Sequence, residues 1–389
     1  SRGLGDVYKR QGNSFTPTML YKENYFIRAA VNKGYDVLVI ASEYMYIDGV
    51  RKRIGAYEGE IDGYKLVRIP YKKYLGSNYF SEKIRNAPGM TERIIDFTPN
   101  YIFYNCPQIY NIREVVKIKK ALPGCKVALD FSTKYINSAR NALSLNILHK
   151  GIYKRWLKKA VPYIDKIYYV SQETLQFIRE VYDLPEELMI ENGLPGEVCA
   201  FGKREYFREK IINEFNFPTD SIIMLHSGKI GILKRTVELL RIFYTNKDKR
   251  FRLIIAGSIE DTVKDDITDI IGRDDRIKYI GFVTGERLTE LLCGTDLYLQ
   301  PGTISQTSQT AICCGCPIMF MDCPTNRALF AENGFLLQNL DEIKDVFERV
   351  SQEPEILKSM SEKSYELAFE ELEYAKLLMK AMLSAGVNI

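Results

Sequence analysis

An apolar run, Leu297 to Leu299, stops at Pro301-Gly302, and a polar cluster follows: Ser305, Gln306, Thr307, Ser308, Gln309 and Thr310. A short small-residue stretch then ends at Gly315, and Pro317 opens a second apolar run, Ile318 to Met321. The order reads as strand, polar loop, helix start, glycine stop, strand. A helix start presents unpaired N–H groups and the positive end of the helix dipole, which suit an anion such as phosphate. Hydroxyl and amide groups beside it bond phosphate oxygens or sugar hydroxyls without adding negative charge. Taken alone, the same pattern also describes an ordinary capped connector.

A second loop points to the same chemistry. The apolar run Ile222–Leu225 leads into His226-Ser227-Gly228-Lys229-Ile230-Gly231-Ile232-Leu233-Lys234, and a helix is expected from about Thr236 to Tyr244. Lys229 and Lys234 flank the turn, so both could reach one anion above the strand ends. Lysine binds phosphate well as a mobile point charge.

These loops need a scaffold, and the chain supplies the pattern of one. Its 389 residues suffice for two domains with separate cores, and 46% apolar with 27% charged residues is an ordinary globular composition. Apolar runs alternate with helical patterns. In the first half the strands are expected at 37–41, 65–69, 101–104, 127–131 and 167–170, with another near 188–190. In the second half they are expected at 222–226, 252–256, 277–280, 297–299, 318–321 and near 335–337. Continuous apolar strands separated by amphipathic helices predict parallel sheets covered on both faces, an α/β class of two doubly wound Rossmann-like domains. Ligands then sit at the C-terminal ends of the strands. The turn-rich Asn192-Gly193-Leu194-Pro195-Gly196 marks the junction. The expected division is 1–198, 199–370 and a last helix, 371–389, returning to the first domain.

Several function classes are set aside. Cysteines without paired spacing suggest reduced thiols and a cytoplasmic setting. Cys313, Cys314 and Cys316 lack a second ligand pair for zinc, and only His149 and His226 are present, so no metal site is expected. Asp265-Asp266 and Asp274-Asp275 read as solvated surface pairs. Residues 1–200 hold 30 basic against 21 acidic side chains, a balance of +9, while residues 201–389 hold 24 against 29, a balance of −5. The basic stretch His149–Lys159, which contains Trp156, could rest on an anionic membrane, or simply cover the sheet with its lysines in water. No basic-aromatic nucleic-acid motif is present.

With these loops in place, the second half resembles the donor domain of a GT-B glycosyltransferase of retaining family 4 (group 1 type), in a variant seen among bacterial surface-polysaccharide enzymes. That family carries Gly-Arg-x-x-x-x-Lys on its first loop, matched by Gly228, Lys229 and Lys234 with Lys in place of Arg. Its late loop is matched by Pro301, Ala311, Gly315 and Pro317. The resemblance, over about residues 20–385, implies a GT-B fold with domains facing a cleft and a UDP- or GDP-linked sugar as donor. It implies no resident cofactor and no metal. Gly228, Lys229, Lys234, Gln306, Thr307 and Ser308 would hold the diphosphate. Gly281, Phe282 and Val283 would lie against the nucleoside, with Ser305, Gln309 and Thr310 toward the donor sugar. Glu23, Asn24, Asp130 and Asn137 would face the acceptor.

Two departures stand out. The family's two glutamates, eight positions apart in the late loop, correspond here to Gly302 and Thr310. Gln306 and Gln309 are the neutral candidates for their contacts. The stretch after Asp130 has Ser132 and Thr133 where many relatives have histidine, so no catalytic residue is assigned. The implied reaction moves a sugar to a hydroxyl of a lipid-linked or surface glycan, in the cytoplasm or peripherally at the inner membrane face. Its alternatives are a non-catalytic GT-B partner subunit and, with less support, a non-hydrolysing nucleotide-sugar epimerase. Finally, residues 1–11 contain no buried apolar run and resemble translated adapter sequence. They are expected to be foreign, with the first strand of the first domain missing.

Overall fold

The computed structural model describes residues 5–10, 14–19, 21–47, 50–135, 138–139, 141–193, 195–198, 203–303 and 306–388. Two compact units result. One comprises residues 1–17, 23–193 and 375–389, and the other residues 18–22 and 194–374.

In the first unit the strands are β1 (Gly5–Arg10), β2 (Asp36–Ser42), β3 (Tyr44–Ile47), β4 (Val50–Arg53), β5 (Tyr57–Ile61), β6 (Tyr64–Ile69), β7 (Tyr101–Asn105), β8 (Lys126–Phe131), β9 (Lys166–Tyr169) and β10 (Met189–Glu191). Eight of them form one sheet in the order β10-β9-β8-β7-β1-β2-β6-β5, parallel except for β5, while β3 and β4 make a separate hairpin. β1 is drawn from the stretch 1–11 that was expected to be foreign. β1 fills the central slot, paired parallel with β2 and β7. A slot between two strands is filled by ladder hydrogen bonds, which any backbone provides, so the lack of an apolar run did not prevent it. The exposed β4 and β5 were also invisible to an apolar-run criterion, because their residues face water. The last helix, Tyr374–Ser384, packs on this unit, where the Tyr168 hydroxyl donates to the Ala381 carbonyl.

The second unit holds β11 (Ile222–Ser227), β12 (Phe251–Ala256), β13 (Ile277–Tyr279), β14 (Leu297–Gln300), β15 (Ile318–Met321) and β16 (Gly334–Leu337), all parallel, in the order β13-β12-β11-β14-β15-β16. Alternate residues of β11 feed opposite cores. Met224 packs with Leu239, Phe243 and Phe347, whereas Ile223 and Leu225 pack with Ile312 and Cys313. Burial on both faces is why these strands read as unbroken apolar runs. The strand order reverses between β11 and β14, which opens a crevice at their C-terminal ends.

Candidate functional site: a buried lysine at the sheet reversal

His226, the penultimate residue of β11, braces this crevice. It is fully buried, with Nδ1 2.8 Å from the Leu299 carbonyl oxygen and Nε2 2.8 Å from the Thr236 hydroxyl. A carbonyl only accepts, so Nδ1 carries the proton and Nε2 accepts from Thr236. Burial pushes the pKa down to about 4, so the ring is neutral at physiological pH. One side chain thereby ties β11 to β14 and to the first residue of the helix Thr236–Thr245.

Gly228, Gly257 and Gly281 follow the ends of β11, β12 and β13. Their φ values are +123°, +139° and +70°. Gly257 is the most constrained, since a Cβ there would lie 1.7 Å from the Gly228 carbonyl oxygen. The backbones interlock through Gly228 N–H to Ala256 O (3.0 Å) and Gly257 N–H to Gly281 O (2.7 Å). The result is a ledge of glycine backbone, touched by the Tyr279 hydroxyl, which donates to Gly257 O at 2.9 Å, and suited to close approach by a ligand.

Lys234 lies against this ledge. A Cβ on Gly228 would sit 3.5 Å from its Nζ. Its ammonium donates to the Thr303 carbonyl at 2.8 Å, and burial pushes its pKa down to about 8. The loop after β14 closes the arrangement. Thr303 N–H donates to Leu233 O at 2.9 Å, and a Cβ on Gly302 would collide with Leu233 O at 2.2 Å. Gly302, noted above for the glutamate it lacks, is therefore a packing requirement here. The two loops singled out from sequence are laced together, with a buried cation between them.

Lys229 is placed differently. Its side chain is 75% exposed and pairs with Glu260 at 2.8 Å, at the start of the helix Asp261–Arg273. The structure unites Gly228, Lys234 and the approach to Gln306, and directs Lys229 to a carboxylate.

The helix Gln306–Cys313 carries the remaining donor-side candidates. The Gln306 amide nitrogen donates to Pro195 O, which fixes the amide and leaves Oε1 without a partner among the described residues. Gln309 is buried and its Oε1 likewise has none. The Thr310 hydroxyl donates to Gln306 O, one turn back in its own helix, at 3.1 Å. Ser308 is buried and hydrogen-bonds Tyr298, while Thr307 is half-buried. Ser305 lies outside the described residues. Phe282, after Gly281, is exposed and, with Ser258, Lys264 and Tyr279, lines a pocket of about 430 Å³. Val283 is half-buried, with one side against the core.

The first unit gathers a second polar cluster at the ends of β7 and β8. Asn105 donates to the buried Glu23 carboxylate at 3.1 Å and lies in register with Asp130, itself 1% exposed. Asn24 instead braces its own loop, donating to the carbonyls of Thr16 (2.8 Å) and Pro17 (3.2 Å). Asn137 lies outside the described residues. Sequence reading missed Asn105 and Cys106; the signal was an abrupt polar stop to the run Tyr101–Tyr104. Cys106 adopts φ +55° and donates its N–H to Asp130 O at 2.9 Å. His149 belongs to the core, with Nδ1 2.6 Å from the Tyr182 hydroxyl and its pKa pushed down to about 4 by burial. Trp156 is half-buried, edge-on to Tyr110. Cys313, Cys314 and Cys316 are buried, and no group of three or more metal-ligating side chains occurs among the described residues.

Two Rossmann-like sheets, with a last helix packed on the first unit, are the GT-B fold. Residues 207–367, within the second unit, match the family model Glycosyl transferases group 1, and the buried Lys234 lies inside the matched stretch. No curated protein matches the chain. Among solved structures, the Anabaena protein HepE in complex with UDP is 12% identical, with a TM-score of 0.66 over 98% of this chain and 99% of that one. A glycosyltransferase from Rickettsia africae is 13% identical, with a TM-score of 0.68 over 99% and 98%. WaaG, a glycosyltransferase involved in lipopolysaccharide biosynthesis, is 11% identical, with a TM-score of 0.68 over 98% and 100%. At these identities the likeness is one of fold.

Proposed function

We propose that the chain is a retaining, metal-independent glycosyltransferase, moving a sugar from a nucleoside diphosphate donor to a hydroxyl of a lipid-linked or surface glycan. The observation that carries this reading is Lys234, buried against the Gly228 ledge and bonded to the loop that leads into the helix Gln306–Cys313. A buried ammonium is costly, and a diphosphate beside it offsets that cost. The HepE structure in complex with UDP-glucose supports this donor class.

In the proposed reaction the bond from sugar C1 to the β-phosphate oxygen breaks, and the acceptor oxygen bonds C1 on the same face. The departing diphosphate takes the acceptor proton. Lys234 stabilises the charge growing on the diphosphate, together with the N–H groups at the start of the Gln306 helix. Gly228, Thr307 and Ser308 hold the diphosphate, and Lys229 reaches it on release from Glu260. Gly281, Phe282 and Val283 contact the nucleoside. The orphan oxygens of Gln306 and Gln309, with Ser305 and Thr310, accept from sugar hydroxyls. Glu23, Asn24, Asp130 and Asn137 form the acceptor side. The basic stretch His149–Lys159 keeps the protein peripheral on an anionic membrane, at the cytoplasmic face.

The test is a panel of UDP-, GDP- and ADP-sugars, scored for binding and for transfer or hydrolysis. At least one should bind and turn over. Lys234→Ala should weaken free nucleoside diphosphate by tenfold or more, as about 1.5–3 kcal/mol for a charge-assisted hydrogen bond implies. Lys229→Ala should cost less. Binding without turnover across the panel favours a non-catalytic partner subunit, and no binding at all removes the reading.

A further inference from the structure

The helix Asn78–Ile84 and the loop before it present apolar side chains to water. Leu75 is 89% exposed, Tyr79 63% and Phe80 47%. This presentation is built into the structure. Ser77 caps the helix by accepting from Tyr79 N–H, Tyr74 N–H donates to the Ser81 hydroxyl (3.2 Å), and Lys72 N–H donates to Asn86 O (2.8 Å). The patch adjoins the basic stretch noted above, because the Tyr153 hydroxyl donates to Lys83 O at 2.7 Å. On that neighbouring segment Ile147 is 53% exposed and Lys150 is exposed.

The surroundings are cationic. Lys72 and Lys73 are exposed and form no ion pair with a described residue. Lys83 sits 5.4 Å from the Tyr79 ring centroid. A hollow of about 630 Å³ close by is lined by Arg113, Lys150, Lys154, Arg155 and other basic side chains around Trp156, with no carboxylate among them. Nearby acids are engaged: Glu82 with Arg51 (3.0 Å), Asp183 with Lys154 (3.6 Å) and Lys158, and Glu180, which faces Lys150, with the Tyr135 hydroxyl and the Gln176 amide (2.8 Å). Trp156 itself is half-buried, edge-on to Tyr110.

Aromatic and aliphatic side chains inside a cationic field fit the boundary between headgroups and acyl chains of an anionic bilayer. Nucleic acid would satisfy the charges but leave Leu75 and Ile147 in water. We infer that this surface docks on an anionic phospholipid bilayer, with Leu75, Tyr79 and Phe80 entering the boundary and Lys72, Lys73 and Lys150 facing the headgroups. This places the membrane contact of the proposed function on a helix outside the basic stretch, and it depends on neither donor nor transfer.

The experiment is co-sedimentation of the full chain, without nucleotide sugar, with vesicles of phosphatidylcholine alone or mixed with phosphatidylglycerol. Binding is expected only with the anionic lipid and should weaken as salt rises. Tyr79→Ser with Phe80→Ser should lower partitioning about tenfold. Lys72→Glu with Lys73→Glu should lower it by at least about tenfold. Both variants alter exposed residues, so unchanged melting curves should confirm folding. Equal binding to neutral vesicles, no binding to either, or unaltered binding by both variants would overturn the inference. So would a preference for single-stranded RNA over anionic vesicles. Failure here leaves the nucleotide-sugar reading intact, because the panel is run without lipid.

Discussion

Raising the pH from 7 to 9 should weaken the binding of free UDP about tenfold. Burial pushes the Lys234 pKa down to about 8, against an ordinary 10.5. If the diphosphate binds only the ammonium form, affinity falls as that form is titrated away in the free protein. The protonated fraction drops from about nine-tenths at pH 7 to about one-tenth at pH 9, worth about 1.4 kcal/mol. The sign follows from linkage: UDP raises the lysine pKa back toward its ordinary value, so binding takes up protons, about half of one at pH 8. Isothermal titration calorimetry in two buffers of different ionisation enthalpy measures both quantities. UDP's own phosphate is already ionised above pH 7 and adds little to the trend. Lys234→Arg should flatten the profile while keeping binding, because guanidinium stays charged. Lys234→Met should flatten it at a lower affinity. Constant UDP affinity from pH 7 to 9, with no proton uptake, would refute the placement of the diphosphate against this side chain.

Two further outcomes follow from the same site and its scaffold. Gly257→Ala should destabilise the protein by at least about 3 kcal/mol in urea unfolding, because the added Cβ meets the Gly228 carbonyl in a positive-φ conformation; an unchanged midpoint would contradict the tight ledge. Acid should remove stability between about pH 6.5 and 4, since His226 and His149 both have pKa values pushed down to about 4 by burial and the unfolded chain binds protons first. Each contributes on the order of 3 kcal/mol, lost as pH falls through that window, and His226→Asn should flatten its share in pH-dependent urea melts.

Much of the second unit was legible because its chemistry and its periodicity coincide. Apolar runs at Ile222–His226 and Leu297–Leu299 marked buried parallel strands, and the polar loops after them marked where a ligand could sit. Burial on both faces leaves few residue types available, so composition alone reveals such strands. Legibility failed where the backbone carries the structure. β1 is held by ladder hydrogen bonds to two neighbours, and β4 and β5 lie in water; neither case demands apolar residues. The helix Asn78–Ile84 was missed for a related reason, since its large side chains point outward rather than into a core.

The order of elements and the two loops, one cationic and one neutral and polar, were therefore determined by the residues themselves, because hydrophobic periodicity and glycine placement act locally. Which lysine enters the crevice was decided only in three dimensions. Lys229 and Lys234 look equivalent along the chain, yet one meets Glu260 across an adjacent loop and the other is buried between Gly228 and Thr303. The partner of each comes from a segment remote in sequence, and burial, which sets the charge of Lys234, is a property of that assembly rather than of the residue.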